Sequence, residues 1–252
     1  MIIWGRKINF LQTSHLAVAY ALLKNSQMKS TFRILFYAKW EASDEANGIS
    51  FYGVGRGTIV ENCEAYKGSD DGFEFFGGSV NIKNMVAVSC SDDSFDWTEG
   101  WNGRGENLVA YQEAENSLGY DCDCLIEADN NENNYAATPL SHPTLKNLIL
   151  IGNGGSKQGI RLRRGTAVEI ENAEVCGKGP ALAVESAETE NALKNGVSKL
   201  VNVSISGTLN SKEGIYTNEL FLEDGNSSEQ TFDYASLSDI AKVNSWMNGW
   251  VK

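Results

Sequence analysis

Two closely similar acidic segments carry the residues of this sequence that could do chemistry. Residues 68–78 read GSDDGFEFFGG, and residues 90–100 read CSDDSFDWTEG. Each segment combines a pair of aspartates with one further carboxylate that lies between aromatic residues. Carboxylate oxygens are ligands for hard cations such as calcium, and paired carboxylates act as acid and base in glycoside hydrolysis. The chemistry therefore depends on whether folding brings the two segments together.

A repeat along the chain indicates how the two segments could meet. They lie 22 residues apart, and short segments that alternate apolar and polar residues recur as GISF, GFEF, SFDW, LIEA, GIRL and ALAV. A second series of strand-like segments carries an asparagine before an apolar residue. An asparagine amide can donate and accept along parallel strands about 4.8 Å apart, so aligned asparagines favour stacked coils. These asparagines are Asn62, Asn84, Asn107, Asn147, Asn172 and Asn202.

The pattern predicts an all-β fold, a right-handed parallel β-helix of about six or seven coils. The connections between strands are too short for the helices that a doubly wound α/β fold requires. We expect an N-terminal cap segment at residues 1–30, the β-helix at residues 31–210, and a C-terminal capping segment at residues 211–252. Short helices at residues 14–23 and from Ser236 onward would cover the open ends. The second helix would place Leu237, Ile240, Val243 and Met247 on one face.

Stacked coils would place charged side chains in one column on the outer face. If the phenylalanines on either side of Glu74 point inward, Glu74 points outward. Alignment of the coils then places Asp96 and Glu127 beside it, followed by Arg161. Like charges about 5 Å apart repel by roughly 1 to 3 kcal/mol per pair. The column therefore requires a bound cation, a carboxyl with a raised pKa, or arginines that reach along it.

The candidate metal ligands are the column and the aspartate pairs that enter its strands. At least one aspartate of each pair is expected to cap backbone N–H groups of a turn, and the others would add oxygen ligands. Calcium is the cofactor that such ligands favour. The candidate metal ligands are Asp70, Asp71, Glu74, Asp92, Asp93, Asp96 and Glu127.

Two further sets of candidates surround the column. A carboxylate beside an arginine could act as acid or base on a polysaccharide, and an exposed tryptophan could stack on a sugar ring. By alternation Trp97 should point inward, so Trp101 is the expected platform. The candidate catalytic residues are Glu74, Asp96, Glu127 and Arg161, and the candidate ligand-binding residues are Trp101, Arg161 and Arg163.

The charge distribution narrows the range of partners. The net charge is −12, and residues 41–132 contain twenty acidic residues against four basic ones. Such a field repels phosphate backbones and anionic lipids, so we expect no nucleic-acid partner. The sequence contains no run of eighteen apolar residues, the length that a membrane-spanning helix requires.

The sequence contains five cysteines, an odd number without the spacing of zinc ligands, and this pattern predicts buried thiols. We further expect a monomer, and we find no signal peptide in the sequence.

Several segments together resemble a family of bacterial secreted or surface proteins that are right-handed parallel β-helices. EANGISFYGVGRGT is similar to the family's E-x-N-G-L-x-x-x-G-V-G-x-G-T, DDGFEFFGGSVN to its central signature, and DDSFDW to the next coil. TPLSHPTLKN, GIRLRRGT and SWMNGW are similar to further family segments. The resemblance implies an extracellular or cell-surface location. The opening IIWGRKIN resembles a segment that follows a signal peptide in the family, which implies a shortened N terminus. The family brings no established activity with it.

Three functions are compatible with these residues. We expect an extracytoplasmic β-helix that binds calcium, and with it carbohydrate such as a polysaccharide or cell-surface glycan, without catalysis. One alternative is a polysaccharide lyase or glycoside hydrolase that uses the acidic column. The other is a structural spacer or adhesin module, which would show neither calcium binding nor turnover.

Overall fold

The strands form two sheets that run the length of the described chain. The computed structural model describes residues 31–32, 35–37 and 46–251. Every pairing between the described strands is parallel. The long sheet contains β1 Thr31–Phe32, β2 Leu35–Tyr37, β4 Ile59–Tyr66, β6 Asn81–Val88, β8 Arg104–Tyr111, β10 Thr144–Ile151, β12 Glu169–Cys176 and β14 Lys199–Ile205. The short sheet contains β3 Ile49–Tyr52, β5 Phe73–Phe76, β7 Phe95–Thr98, β9 Ile126–Ala128, β11 Ile160–Leu162, β13 Leu182–Val184 and β15 Leu209–Ser211.

The chain alternates between the two sheets, so each turn contributes one strand to each. Six complete coils run from the β3–β4 pair to the β13–β14 pair. This architecture is a parallel β-helix, as the repeat predicted. The odd-numbered strands from β3 to β15 pair only with one another. Because this pairing is parallel and in register, each strand residue of one coil lies directly above its counterpart in the next coil.

The asparagine ladder predicted from the sequence lies in the middle of the long strands. The side-chain amide of each asparagine donates to the side-chain carbonyl of the one in the preceding coil, at 2.8–3.3 Å. All six residues have φ between 54° and 61°, the left-handed region in which asparagine is enriched. This conformation interrupts the alternation, so that Val60 and Cys63, three positions apart, are both buried. The ladder thus bends each long strand around the core.

Aromatic stacks fill the first coils. Phe51 and Phe75 stack with ring centroids 4.8 Å apart, and Phe73 and Phe95 stack at 5.4 Å. All four side chains are buried in one continuous hydrophobic core. Because Phe73 and Phe75 both point inward, Glu74, which lies between them on the strand, must point outward. The interior of the coils therefore fixes the direction of Glu74.

Two helices lie in the long interruptions of the repeat, and two follow the last coil. The helices are α1 Glu115–Leu118, α2 Ala187–Lys194, α3 Asn218–Glu223 and α4 Leu237–Val243, with a 3-10 turn at Ser245–Met247. Tyr216 and Phe221 belong to the same buried core as the coils. The segment around α3 thus closes the C-terminal end of the solenoid. The expected helix at residues 14–23 and the N-terminal cap lie outside the described residues.

The helix expected from Ser236 forms but lies elsewhere than predicted. The Ser236 hydroxyl accepts a hydrogen bond from the Asp239 backbone N–H at 3.3 Å and so caps α4. The helix ends at Val243, whose side chain is 67% exposed. The expectation that Val243 contributes to the buried face is therefore wrong.

An apolar strip on the outer side of the long sheet explains this position of α4. Val86, Val88 and Val109 point away from the interior and form a second buried cluster with Ile240 and Met247. The terminal segment therefore covers a flank of the β-helix, whereas the sequence predicted that it covers the end. Among the described residues, no helix has the length and apolar character needed to cross a bilayer.

Candidate functional site

The predicted charged column forms on the outer face of the short sheet. Glu74 is paired in register with Asp96, and Asp96 with Glu127. Arg161 follows as the register partner of Glu127 on the next strand. The residues that flank the column, including Trp97, are buried, so Trp97 points inward as expected. Four charged side chains of successive coils are thus held side by side by backbone pairing.

A cavity of about 420 Å³ surrounds this column. Every predicted metal ligand lines it, together with Asp123 and the two arginines that were predicted to bind ligand. Eight of the ten lining residues are acidic, which makes this acidic pocket a region of strong negative potential. The lining residues are Asp70, Asp71, Glu74, Asp92, Asp93, Asp96, Asp123, Glu127, Arg161 and Arg163.

One aspartate of each pair caps the backbone of the next coil, as the sequence predicted. An Asp71 carboxylate oxygen accepts from the backbone N–H of Asp93 at 2.9 Å. Asp93 in turn accepts from the N–H of Cys124 at 2.7 Å. Asn47 occupies the equivalent place one coil earlier and accepts from the N–H of Asp71 at 3.2 Å. Each of these aspartates still has its other carboxylate oxygen for a further contact.

Burial strongly disfavours the charged forms of the central carboxylates. It raises the pKa of Glu74 to about 7, against a hydrogen bond from the side chain of Asn47 that acts in the opposite direction. The pKa of Asp96 is raised well above its ordinary value by burial and by the negative charges of Glu74 and Glu127. Burial and neighbouring carboxylates raise the pKa of Asp71 in the same way. Charge compensation by a cation would therefore be favourable here.

Ion pairs neutralise the opposite end of the pocket. Arg161 donates to Glu127 and to Glu185, both at 3.0 Å. Arg163 also donates to Glu127, and its Nε donates to Asp129 at 2.7 Å. Arg161 and Arg163 are the only basic residues among the described residues that line the pocket. The pocket therefore has an arginine end at Glu127 and an acidic end around Asp71, Glu74 and Asp96.

Three groups of side chains have ligand atoms close enough to share one metal ion. In each group the atoms lie within 4.8 Å of one another. The groups are Asp71, Glu74 and Asp96; Asp70, Asp71 and Asp92; and Asp93, Asp123 and Cys124. The first two groups share Asp71 and contain only carboxylates, and the third includes the thiol of Cys124.

The prediction that Trp101 forms an exposed platform for a sugar ring is wrong. Its side chain is 1% exposed. The ring stacks on Phe75 with centroids 4.0 Å apart, and the indole N–H donates to the backbone carbonyl of Val80 at 3.2 Å. Gly100 has a φ of +86°, and this turn directs the following tryptophan back over the core. Trp101 is therefore a structural residue.

Residues 25–251 match the family described as a pectate-lyase-like beta-helix domain. The chain belongs to this pectate-lyase-like β-helix family. No curated protein and no solved structure matches the chain. Membership agrees with the two parallel sheets and supports the β-helix resemblance found in the sequence.

Two residues of this pectate-lyase-like β-helix were not predicted from the sequence: Asp123, which lines the pocket, and Asn47, which contacts the pocket residues Asp71 and Glu74. Asp123 lies in a long interruption of the repeat, where alternation gives no register, and it reaches the pocket because Asp93 holds the adjacent Cys124 backbone. Asn47 was not predicted as a site residue because it is an amide, whereas the equivalent positions of the next two coils hold the carboxylates Asp71 and Asp93. Its alignment with these two aspartates is the sequence signal that could have identified it.

The cysteines of this pectate-lyase-like β-helix contribute little to the site. All five lie in the described part of the chain, and none forms a disulfide. Burial, followed by the charge of Asp93, raises the pKa of the Cys124 thiol. A protonated thiol is a poor metal ligand, so the carboxylate groups are the better candidate cation sites.

Proposed function

We propose that the acidic end of the pocket binds a divalent cation, and that calcium is the ion it accommodates. The observation that carries this proposal is the convergence of Asp71, Glu74 and Asp96, whose oxygens lie within 4.8 Å of one another. Calcium takes six to eight oxygen ligands in flexible geometry. Carboxylates from two coils, together with water, can supply that number.

The ligand chemistry supports calcium over softer metals. Asp70 and Asp92 extend the set through Asp71, so five carboxylates surround the same space. Zinc and copper favour sulfur and imidazole ligands. The thiol that belongs to one of the three candidate metal groups, Cys124, is held in its protonated form by burial, which raises its pKa. The oxygen-rich group therefore favours a hard cation.

Calcium binding is expected to compete with protonation of the carboxylates that would bind the ion. Because burial raises the pKa of Glu74 to about 7, protons and calcium compete for that carboxylate near neutral pH. Modest affinity would suit an extracytoplasmic location, since extracellular calcium modules bind at about 10⁻⁴ to 10⁻³ M. The extracellular location implied by the family resemblance is part of this proposal.

Thermal unfolding with and without calcium tests the proposal. Calcium at a hundred times its Kd should stabilise the fold by about 2.7 kcal/mol, which raises Tm by about 5–10 °C for a chain of this size. Asp96→Asn should abolish this rise. Glu106→Gln is the matched control, because Glu106 is an exposed carboxylate on the long sheet, paired with Lys83. Its calcium response should equal that of the unmodified protein. An unchanged Tm at calcium concentrations up to about 100 mM, a hundred times the weakest Kd expected here, would refute the proposal and favour the structural spacer.

Cleavage of an acidic polysaccharide is a second candidate. Arg161 and Arg163 line the same pocket as the carboxylates, and a guanidinium group could hold a sugar carboxylate while Glu74 acts as acid or base. Both arginines already form ion pairs with neighbouring acids, which favours binding over catalysis. Incubation with acidic glycans should release reducing ends or unsaturated products if this candidate is correct, and Glu74→Gln should lose that activity.

A further inference from the structure

A lysine, an asparagine and an aspartate meet at a corner of the β-helix, and none of them lines the acidic pocket. Lys178 follows β12, Asn153 follows β10, and Asp121 lies in the segment between β8 and β9. Lys178 Nζ donates to the side-chain carbonyl oxygen of Asn153 at 2.8 Å. At the other end of this carboxamide, Asn153 Nδ2 donates to Asp121 Oδ1 at 2.9 Å. These three residues, called the triad below, place an amine, a carboxamide and a carboxylate in direct succession.

Glycines allow the three groups to approach one another. A Cβ atom placed on Gly155 would lie within 3.5 Å of one polar atom from each member of the triad. A Cβ atom on Gly152 would lie 2.5 Å from Lys178 Cγ, so glycine leaves room for the lysine stem at that point. The stem therefore crosses from the coil of β12 to the coil of β10, and the amine reaches the carboxamide.

The Lys178 amine is held away from water. The residue is 6% exposed, and lysine is almost never fully buried without a charged partner. Its Nζ contacts two neutral oxygens, the backbone carbonyl of Cys122 and the side-chain carbonyl of Asn153, both at 2.8 Å. Burial lowers the pKa of Lys178, although the charge of nearby Asp121 acts in the opposite direction. A larger share of the amine is therefore uncharged than at the surface, and an uncharged amine is a nucleophile.

The groups around the Asn153 carboxamide are those that acyl transfer requires. Its carbon lies one C=O bond, about 1.23 Å, from the oxygen that Lys178 contacts, which puts the carbon within about 4 Å of Nζ. A small rotation of the lysine side chain brings the two atoms to the attack distance of about 3–3.5 Å. The Gly155 backbone N–H donates to the same oxygen at 3.1 Å and would stabilise the negative charge of a tetrahedral intermediate. Asp121 contacts the nitrogen that would leave.

We propose that Lys178 and Asn153 join in an intramolecular isopeptide bond, with Asp121 as acid and base. The uncharged amine attacks the carboxamide carbon and forms the new C–N bond. One proton of the amine passes to Asp121 and from there to Asn153 Nδ2, whose bond to the carbon breaks, and ammonia leaves. Amine and carboxamide thus become a secondary amide and ammonia, without an oxidant or a reductant. The bond would link neighbouring coils through residues 25 positions apart.

This proposal goes beyond the calcium site and does not depend on it. The triad supplies none of the residues in the candidate metal groups. The bond should therefore form equally with calcium and with a chelator, and Lys178→Arg should retain the rise of Tm in calcium. Either proposal can fail while the other holds.

Mass spectrometry of the purified, folded full chain tests the proposal. After prolonged incubation we expect an intact mass lower than that of the sequence by one ammonia, about 17 Da. A tryptic digest should contain a branched peptide in which the segment with Asn153 is joined to Lys178, and trypsin should not cleave after that lysine. An intact mass equal to that of the sequence would overturn the proposal.

A competing reaction releases the same ammonia. The backbone nitrogen of Gly154 could attack the Asn153 side chain and close a succinimide ring, but its N–H donates to the Gly177 carbonyl at 2.7 Å, which holds it in place. The digest separates the two products, because a succinimide stays within one peptide. A loss of ammonia confined to the Asn153 peptide would overturn the proposal, as would a loss that persists in Lys178→Arg.

Variants assign the roles within the triad. Lys178→Arg keeps a cation at the site but should form no branched peptide. Asp121→Asn can still accept from the Cys122 backbone N–H, as Asp121 does at 2.8 Å, but it cannot carry the proton, so formation should slow at least about a hundredfold. Lys157→Arg is the matched control, because Lys157 is an exposed lysine of the β10–β11 connection that pairs with Asp123. It should form the bond as fully as the unmodified protein. An unchanged rate in Asp121→Asn would contradict the role of Asp121, and loss of the branched peptide in Lys157→Arg would overturn the assignment of the lysine.

Discussion

Asp71 accepts a hydrogen bond from the backbone N–H of Asp93 at 2.9 Å, so the coil that carries Glu74 is tied to the coil that carries Asp96. The same carboxylate belongs to both all-carboxylate groups that could hold a cation. Asp71 therefore has a structural role through one oxygen and a candidate ligand role through the other. The two roles can be separated, because Asn47 performs the equivalent capping with an amide oxygen.

Asp71→Asn should retain stability but weaken calcium binding. The amide oxygen can still accept from Asp93, and the unfolding free energy should change by less than about 1 kcal/mol. Asp71→Ala leaves that buried N–H without its acceptor and should cost about 1–3 kcal/mol. Chemical denaturation measures the stability of both variants, and calcium titration measures binding. Equal destabilisation by both substitutions would show that the charge, and not the capping, is what stabilises the turn.

Stability without calcium should decrease as pH rises, through Glu74. Burial raises the pKa of Glu74 from 4.5 to about 7, so between these values the folded state holds a proton that the unfolded state releases. Stability from such a group is present below 4.5 and is lost as pH rises through 7. Glu74→Gln stays neutral, so it should match the unmodified protein at pH 4.5 and exceed its stability at pH 8. Denaturation in a chelator across this range measures the difference. A difference that is constant with pH would contradict the raised pKa.

Asn107→Ala should destabilise the fold more than Asn107→Gly. Asn107 donates to Asn84 at 2.8 Å, accepts from Asn147 at 3.1 Å and has a φ of 61°. Alanine loses both hydrogen bonds and strains the backbone, for a total of about 2–3 kcal/mol. Glycine loses the bonds but adopts this φ readily, so it should cost about 1 kcal/mol less. Asn133→Ala, in an exposed loop, is the control for chemical denaturation. Equal losses of unfolding free energy in Asn107→Ala and Asn107→Gly would show that backbone strain at this φ does not contribute to the effect of alanine.

Trp101→Ala should unfold the protein at lower denaturant concentration, because it removes a buried ring. The expected loss is about 3–5 kcal/mol. Trp101→Phe keeps the stacking on Phe75 but leaves the Val80 carbonyl without its donor, and should cost about 1–3 kcal/mol. Tyr52→Ala, at an exposed ring, should cost less than either. If Trp101→Ala retained full stability and lost only glycan binding, Trp101 would be a binding residue after all.

Much of the fold and the order of the column could be predicted from the sequence. The repeat of alternating segments predicted stacked parallel coils, and the recurring asparagines predicted a ladder that the hydrogen bonds confirm. In a solenoid the neighbour of each residue is set by the repeat length. The adjacency of Glu74, Asp96 and Glu127 could therefore be derived by alignment alone, and the register confirms it.

Other features depend on contacts that no repeat specifies. Trp101 is buried because a left-handed glycine directs it onto Phe75. Asp123 reaches the pocket from a segment outside the repeat, and α4 packs on a strip of outward valines. The sequence by itself determined which residues stack on one another, because strand alternation and coil length are local properties. Only the tertiary structure decided the burial of residues outside the alternating strands, such as Trp101, because that burial depends on side chains that are distant along the chain.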